Sequence, residues 1–515
     1  MIDGFLMFAK ALSGFLLENP VTILYVLGAT QVGIIVGMLP GLTATMGVAL
    51  MTTLTFKMAP DVAVLILVCM YVGAIYGGSR SAILLNIPGT PANAATAVDG
   101  YPLARQGLAG RAIGIATTGS FLGSVIGLLM LAFFTPLIGN FALKFKSFEF
   151  FWLAIFGIVI CGNLTAPKDP LKGWIAGFIG LLVAMIGMEP YHAYQRFSFG
   201  YMDLSGGIHL IPAMVGAFGF AEIITVMKHP RMEVVKGKIN RIIPRIKDIV
   251  KYWRSIIRSG LVGTFVGAIP GVGEDIAAWT SYDLAKNSSK EADRFGKGSI
   301  EGLLVAETGN NSAVAGAMIP VLSLAIPGSA PAAVLLAAMF IHGVRPGPLI
   351  MIEFPEFVYQ VVAMVMLATT AMLVLGLSMV RPLVKVLSIP REKLMPVVFV
   401  LCVIGSYAIQ ARLFDVGVMV IFGIIGYYMR EMDYPIAPMV LGIILGSILD
   451  KNLIRSLIIS EGNPLYFFES PISIIIAGIT FITFFSRSHW FISLKNHIIK
   501  AVRKNLSAQA KKRIK

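Results

Sequence analysis

The sequence predicts an all-α polytopic integral membrane protein, with about 12 transmembrane helices plus re-entrant or broken helices in two internal, inverted repeats. Three observations predict it. Of 515 residues, 57% are hydrophobic and 13% charged, with mean hydropathy +0.81; soluble domains carry about 25% charged residues. Apolar blocks recur from end to end, each long enough to cross a hydrocarbon core of about 30 Å. The same Gly/Pro interruptions appear twice, in the same order.

The apolar blocks fall near 20–56, 61–98, 108–138, 148–164, 171–188, 208–227, 256–282, 300–340, 357–388, 394–408, 414–429, 435–459 and 471–486. They are unbroken runs rather than short alternating strands, so helices satisfy the backbone and a β-barrel is excluded. Ahead of them, Phe5, Phe8, Leu12, Phe15 and Leu16 recur at helical spacing. That pattern fits an interfacial amphipathic helix or a packing helix over 1–19. The start has no basic region and no evident cleavage site, so no signal peptide is expected.

The net charge of +15 is gathered between and after the apolar blocks. Residues 228–258 hold ten Lys/Arg against Glu233 and Asp248, and the stretch from Arg487 to Lys515 is basic without an acid. This distribution is the positive-inside pattern, placing both segments in the cytoplasm, and it excludes nucleic-acid binding as the reason for the charge. Cys69, Cys161 and Cys402 lie far apart in apolar stretches and read as buried free thiols. The domain reading is an interfacial segment 1–19, membrane repeats 20–227 and 259–459, a basic linker 228–258, a last span 460–486 and a basic tail 487–515.

The interruptions carry the repeat. Gly33-Ile-Ile-Val-Gly37-Met-Leu-Pro40-Gly41 matches Gly263-Thr-Phe-Val-Gly267-Ala-Ile-Pro270-Gly271, offset by 230 residues. Ile87-Pro88-Gly89-Thr90 matches Ile326-Pro327-Gly328-Ser329, offset by 239. Block 20–56 is broken at Pro40-Gly41, block 256–282 at Pro270-Gly271 and block 300–340 at Pro327-Gly328. Block 61–98 is broken at Gly77-Gly78 and at Pro88-Gly89. The segment before repeat one carries Asp3, Lys10 and Glu18, whereas the segment before repeat two is strongly basic. Opposite charge character puts equivalent loops on opposite sides, hence an inverted repeat.

Gly/Pro-broken segments at corresponding places in two halves point to a transporter's binding site. Half-helix N-termini suit an anion, and unwound carbonyls suit Na⁺. The expected substrate-binding residues are Thr43, Asn86, Pro88, Gly89, Thr90, Asn310, Asn311, Ser312, Pro327, Gly328 and Ser329. Ser79, Glu274, Asp275 and Glu307 are ion-coupling candidates, with no metal beyond a transported Na⁺. Each polar residue has a competing reading as an interhelical hydrogen-bonding group. Arg80 pairs with a substrate carboxylate in a fork or snorkels to the interface. Glu274 and Asp275 serve coupling or cap a helix N-terminus; Glu222, near the basic linker, reads as interfacial. Enzyme signatures such as HExxH, GxSxG and Walker A are absent, and Gly296-Lys297-Gly298 lacks the residues of a P-loop. The six histidines are scattered. No enzymatic activity and no cofactor are therefore expected.

Gly37-Met-Leu-Pro-Gly41, Tyr76-Gly-Gly-Ser79, Ile83-Leu-Leu-Asn-Ile-Pro-Gly89 and Asp99-Gly-Tyr-Pro102 occur in order. Ser281-Tyr282, Phe295-Gly-Lys-Gly-Ser-Ile-Glu-Gly302, Glu307 to Asn311, Ile319-Pro320, Ile326-Pro-Gly-Ser329 and His342-Gly-Val-Arg-Pro-Gly-Pro348 follow. Over nearly its whole length the chain resembles the large membrane subunit of the bacterial tripartite tricarboxylate transporters. The resemblance implies a small membrane subunit and a periplasmic solute-binding protein as partners. It implies import of citrate-like di- or tricarboxylates across the inner (cytoplasmic) membrane, driven by a Na⁺ or H⁺ gradient. It maps the substrate region onto the two Pro-Gly loops and the Asn310-Asn311 run. Glu274-Asp275 departs from the small residues expected after Pro270-Gly271, which leaves the coupling ion open. The alternative is a stand-alone ion-coupled organic-anion carrier or antiporter.

Overall fold

The computed structural model describes residues 2–39, 41–166, 168–228, 242–386 and 391–485. Pro40, the 229–241 part of the basic linker with His229, and the 487–515 tail with His489 and His497 lie outside the described residues. The helices of the first half are α1 (Ile2–Ser13), α2 (Val21–Met38), α3 (Ala44–Thr55), α4 (Pro60–Leu85), α5 (Ala94–Leu103), α6 (Ala109–Ala142), α7 (Ser147–Thr165) and α8 (Pro170–Ala184). The short α9 (Met202–Ser205), α10 (Leu210–Met214), α11 (Ala221–Lys228) and α12 (Ile246–Val250) lead to the second half. There follow α13 (Trp253–Gly267), α14 (Gly273–Ser288), α15 (Ile300–Leu324), α16 (Ala330–Ile341), α17 (Ile350–Glu353) and α18 (Pro355–Ser378). The remaining helices are α19 (Val380–Val386), α20 (Arg391–Ala408), α21 (Leu413–Glu431), α22 (Ile436–Ile459) and α23 (Pro471–Phe485). Two-residue strands at Gly187–Met188 and Gln195–Arg196 pair antiparallel.

Among the described residues, eight helical segments are long and apolar enough to cross a membrane, and α3, α8, α16, α23 and the Lys393–Ala408 part of α20 are shorter apolar helices. The chain is thus an all-α multi-pass membrane protein. The first helix, α1, lies along α18, with Gly4 against the Tyr359 ring and Lys10 Nζ 3.4 Å from Glu356.

Four of the five sequence-marked breaks fall between helices among the described residues. Gly41 lies between α2 and α3, and Thr43 caps α3 by accepting the Met46 amide at 3.2 Å. The α13–α14 turn contains Pro270 and Gly271. The Pro88-Gly89 and Pro327-Gly328 loops follow α4 and α15, and both helices end on left-handed residues, Asn86 (φ 56°) and Ala325 (φ 57°). Gly77-Gly78 is not a break, contrary to the sequence expectation: α4 runs without interruption to Leu85. That glycine pair serves close packing instead. A side chain at Gly77 would overlap the Ile34 carbonyl of α2, and one at Gly78 would overlap Asn93.

The two halves repeat bond for bond around the long helices. The Ile87 amide donates to the Ser81 carbonyl, and the Ile326 amide donates to the Pro320 carbonyl. Gly89 donates to Gly78 and Gly328 to Ala317, each at 3.4 Å. A Cβ on Gly89 would overlap the Gly37 carbonyl, and one on Gly328 the Gly267 carbonyl. These equivalent residues are 239 apart along α4 and α15 and 230 apart along α2 and α13, as in the sequence repeat.

The copies are inverted relative to each other. Gly33 lies against Gly73 and Gly37 against Ala74, so α2 runs parallel to α4. Gly263 lies against Gly309 and Gly267 against Ala313, so α13 runs parallel to α15. Ile83 of α4 and Leu303 of α15 both face Gly100, whereas Tyr71, about three turns earlier on α4, reaches Ser329, beyond the far end of α15. Hence α4 and α15 are antiparallel, and the hairpins α2–α3 and α13–α14 enter from opposite ends. The halves also interlock: α6 packs on α13 and α15, and α18 packs on α2 and α4. Gly119, Gly123 and Gly127 of α6 abut Leu304, Thr308 and Ser312, a small-residue stripe that lets two backbones approach without lipid between them.

Candidate functional site

Two polar clusters sit where a broken loop of one half meets the long helix of the other. The first surrounds Glu307, fully buried on α15. Its carboxylate accepts from Thr96 of α5 and, at 2.7 Å, from Ser120 of α6. Asn311 Nδ2 donates to the Glu307 backbone carbonyl at 3.1 Å and to its carboxylate at 3.4 Å. Beside it, Thr90 of the Pro88-Gly89 loop donates to Asn93 Oδ1 at 2.6 Å. Both loop residues are buried.

The second cluster lies at the other broken loop. Tyr71 of α4 donates to Glu274, the second residue of α14, and its hydroxyl lies 2.7 Å from Ser329 Oγ. Ser329 also caps α16 by accepting the Ala332 amide at 3.3 Å. The 239-residue offset carries Thr90 onto Ser329, one residue of each cluster, and Tyr71 onto Asn310, whereas the carboxylates are not equivalent: the same offset carries Val68 onto Glu307.

Asn310 stands apart from this bonded network. It is fully buried, and among the described residues neither its Nδ2 nor its Oδ1 has a hydrogen-bond partner. Asn311 Oδ1 is likewise unpartnered. A buried amide without partners costs about 1–3 kcal/mol, so Asn310, with a donor and an acceptor to offer, is a candidate ligand-contacting group. Asn310 sits one turn beyond Glu307 on α15.

Of the other expected site residues, Pro327, Gly328 and Ser329 line the second loop beside the α13–α14 turn, where the Gly271 amide donates to the Pro327 carbonyl at 3.3 Å. Pro88 and Gly89 form the equivalent loop. Thr43 is a helix cap, and Ser79 bonds back to the Tyr76 carbonyl at 2.5 Å. Ser312 bonds back to the Gly309 carbonyl at 3.1 Å and packs against Gly263. Asn86 is exposed at the end of α4. Asp275 is exposed although its neighbour Glu274 is buried. The structure therefore brings Thr90, Glu307 and Asn311 together in one cluster and Glu274 and Ser329 in the other, and leaves Thr43, Ser79, Asn86, Ser312 and Asp275 outside both.

Tyr71, Thr96 and Ser120 escape the sequence reading because none stands at a Gly/Pro break and each meets its partner only through the fold. The signal for Tyr71 was its repeat equivalence with Asn310. Arg80 does not snorkel: it is buried, donates to the Gly376 carbonyl at 2.7 Å and lies 4.8 Å over the Tyr76 ring. Its Nε and Nη1 have no partner among the described residues. Glu222 pairs with Arg430 of α21 and abuts Gly41 at the first hairpin tip. Asp99 of α5 ties the halves together elsewhere. Its Oδ1 accepts the amides of Gly296, Gly298 and Ser299 at 2.9, 2.9 and 2.7 Å, and its Oδ2 accepts from Tyr282 at 2.8 Å. The Gly296-Lys297-Gly298 turn is thus an anion nest occupied by the protein's own carboxylate.

Inverted repeats, two hairpins entering from opposite ends and polar clusters at their junction define a multi-pass membrane protein of the broken-helix transporter class. The chain belongs to the tripartite tricarboxylate transporter TctA family, whose model matches residues 23–441. It is 35% identical over 456 residues to an uncharacterized 52.8 kDa protein in the TAR-I ttuC' 3' region of Agrobacterium vitis, covering 88% of this chain and 91% of that relative. A second A. vitis relative, an uncharacterized protein in the TAR-II ttuC' 3' region, is 34% identical over 217 residues, 42% of this chain and 90% of the relative. No solved structure matches the chain.

Proposed function

We propose that the chain is the permease subunit of a binding-protein-dependent secondary transporter that imports citrate-like di- and tricarboxylates, driven by a Na⁺ or H⁺ gradient. The carrying observation is Asn310, a fully buried amide without a partner among the described residues, at the junction of two inverted broken-helix repeats. In this reading Asn310 and Asn311 face the carboxylate, together with the α14 and α16 N-termini and the Thr90 and Ser329 hydroxyls. Glu307 and Glu274 hold the coupling cation, and the hydroxyls bonded to them tune how tightly. The halves 20–227 and 259–459 supply one cluster-forming loop each. The linker 228–258 and the tail 487–515 face the cytoplasm, 460–486 adds a last span, and 1–19 lies at the interface. A small membrane subunit and a periplasmic solute-binding protein complete the system in the bacterial inner membrane.

The test is uptake of labelled citrate into proteoliposomes under Na⁺ and H⁺ gradients, with the chain alone, with the small subunit, and with the binding protein added. Gradient-driven uptake that needs the partners is expected. Uptake by the chain alone would replace this reading with the stand-alone carrier. No carboxylate uptake under any gradient would overturn the substrate class.

A further inference from the structure

A cavity of about 720 Å³ opens at the C-terminal end of α15, against Leu324 and Ala325, directly before the Pro327-Gly328 loop. Its wall carries Lys146, Lys451 and Arg455, and no aspartate or glutamate is among its lining residues. Ser447, Lys451 and Arg455 recur every four residues on α22, so they form one stripe facing the cavity. Among the described residues, none of the three cations has a salt-bridge partner. The nearby carboxylates are already committed. Asp450 pairs with Arg196 at 3.0 and 2.5 Å, and Glu149 takes the Lys146 amide at 2.9 Å and the Ser470 hydroxyl.

The position of this charge is the second observation. At the start of α6, Arg111 pairs with Asp248 of the basic linker at 2.8 Å, and Ile242 packs on Gly114. Lys146 follows the far end of α6, and Ala325 the far end of the parallel helix α15. The cavity therefore opens at the end of the bundle opposite the basic linker. Uncompensated lysine and arginine on that side run against the positive-inside distribution. Topogenesis does not account for them, whereas attraction of an anion does.

We propose that this cavity is the extracytoplasmic entry site for the carboxylate, in which Lys146, Lys451 and Arg455 capture the anion before it passes the Pro327-Gly328 loop. The proposal rests on the carboxylate-import reading. Its volume lies in the range of small-molecule sites, roughly 300–1,000 Å³. The three cations are exposed and so keep their hydration, which favours fast, weak capture over tight binding.

The native cysteines Cys69, Cys161 and Cys402 are all buried, so a single cysteine at the exposed Ser447 reports on the cavity. In right-side-out vesicles, Ser447→Cys is labelled with an anionic sulfonatoethyl and with a cationic trimethylammonioethyl methanethiosulfonate. The anionic reagent is expected to react faster by about tenfold at low salt, and Lys146→Gln/Lys451→Gln/Arg455→Gln is expected to abolish that preference. Citrate is expected to protect Ser447→Cys. In proteoliposomes the triple variant is expected to raise the citrate KM several-fold and leave the maximal rate unchanged. An absent anionic preference, or labelling only from the cytoplasmic side, overturns the site whatever the fate of transport. Anionic preference without citrate protection, with an unchanged KM in a wild type that carries citrate, overturns the capture role alone. A KM shift seen only with the binding protein present, without citrate protection, marks the cations as a protein-docking surface and overturns it too. A wild type that carries no carboxylate overturns the import reading and this inference with it.

Discussion

The cost of Glu307→Ala can be worked out donor by donor. Three side chains donate to the Glu307 carboxylate: Thr96, Ser120 and Asn311. Counted as charge-assisted bonds of about 1.5–3 kcal/mol each, they suggest a loss of roughly 4.5–9 kcal/mol. The geometry argues for much less. Ser120 Oγ already lies 2.9 Å from the Ala116 carbonyl, and Asn311 Nδ2 lies 3.1 Å from the Glu307 backbone carbonyl, which alanine keeps. Thr96 alone loses its acceptor. The expected destabilisation is therefore that of one orphaned buried donor, about 1–3 kcal/mol, together with a small packing loss. Thermal unfolding of purified protein in one detergent measures it. Adding Thr96→Ala to Glu307→Ala should recover most of the loss, because removing both partners of a buried pair is nearly neutral. Adding Ser120→Ala should recover none. Equal rescue by Ser120→Ala, or no rescue by Thr96→Ala, would refute the reasoning.

Other perturbations follow from the same contacts. Gly89→Ala and Gly328→Ala place a methyl against backbone that cannot yield without separating α2 from α4 or α13 from α15, costing about 1–3 kcal/mol or more each. Gly28→Ala, with open space around it, should instead stabilise α2 by about 0.5–1 kcal/mol; melting temperatures decide. Asp99→Ala strips the acceptor from three amides, of which Ser299 is buried and Gly296 exposed. It should cost about 2–3 kcal/mol and speed tryptic cleavage after Lys297, and unchanged cleavage would argue against the nest. Lys251, 2.5 Å from Glu291, holds that carboxyl below its ordinary range. A carboxyl lowered on folding stabilises the fold above its unfolded value and loses that contribution as acid protonates it. Hydrogen-exchange protection factors around residues 289–294, taken against the intrinsic rate at each pH, should therefore fall below about pH 4.3, and Lys251→Gln should weaken that pH dependence, with Tyr252 and Arg294 still on the carboxylate.

Composition and punctuation carried much of the fold. Apolar runs gave the helices, and Pro88-Gly89, Pro270-Gly271 and Pro327-Gly328 gave their interruptions. Gly77-Gly78 misled because a glycine pair marks a close helix crossing as readily as a break, and only the partner helix α2 shows which. Within the site, Glu307 and Asn310-Asn311 were legible because charge and amides in an apolar block are costly. Ser312 and Ser79 looked alike in sequence, yet both hydroxyls bond back to their own helix, a choice that spacing does not reveal. Tyr71, Thr96 and Ser120 were invisible because their partners lie 203, 211 and 187 residues away. The Asp99 nest was hidden for the same reason, its amides lying 197 to 200 residues downstream.

Asn310 is the residue on which carboxylate binding depends most directly in the proposed site. Binding of labelled citrate to Asn310→Ala, measured beside its thermal unfolding in lipid nanodiscs, separates a ligand group from a structural one. Loss of binding with stability kept or raised is expected, because the side chain has no partner among the described residues to lose. Wild-type binding, or a destabilisation of several kcal/mol in place of a binding defect, would contradict it.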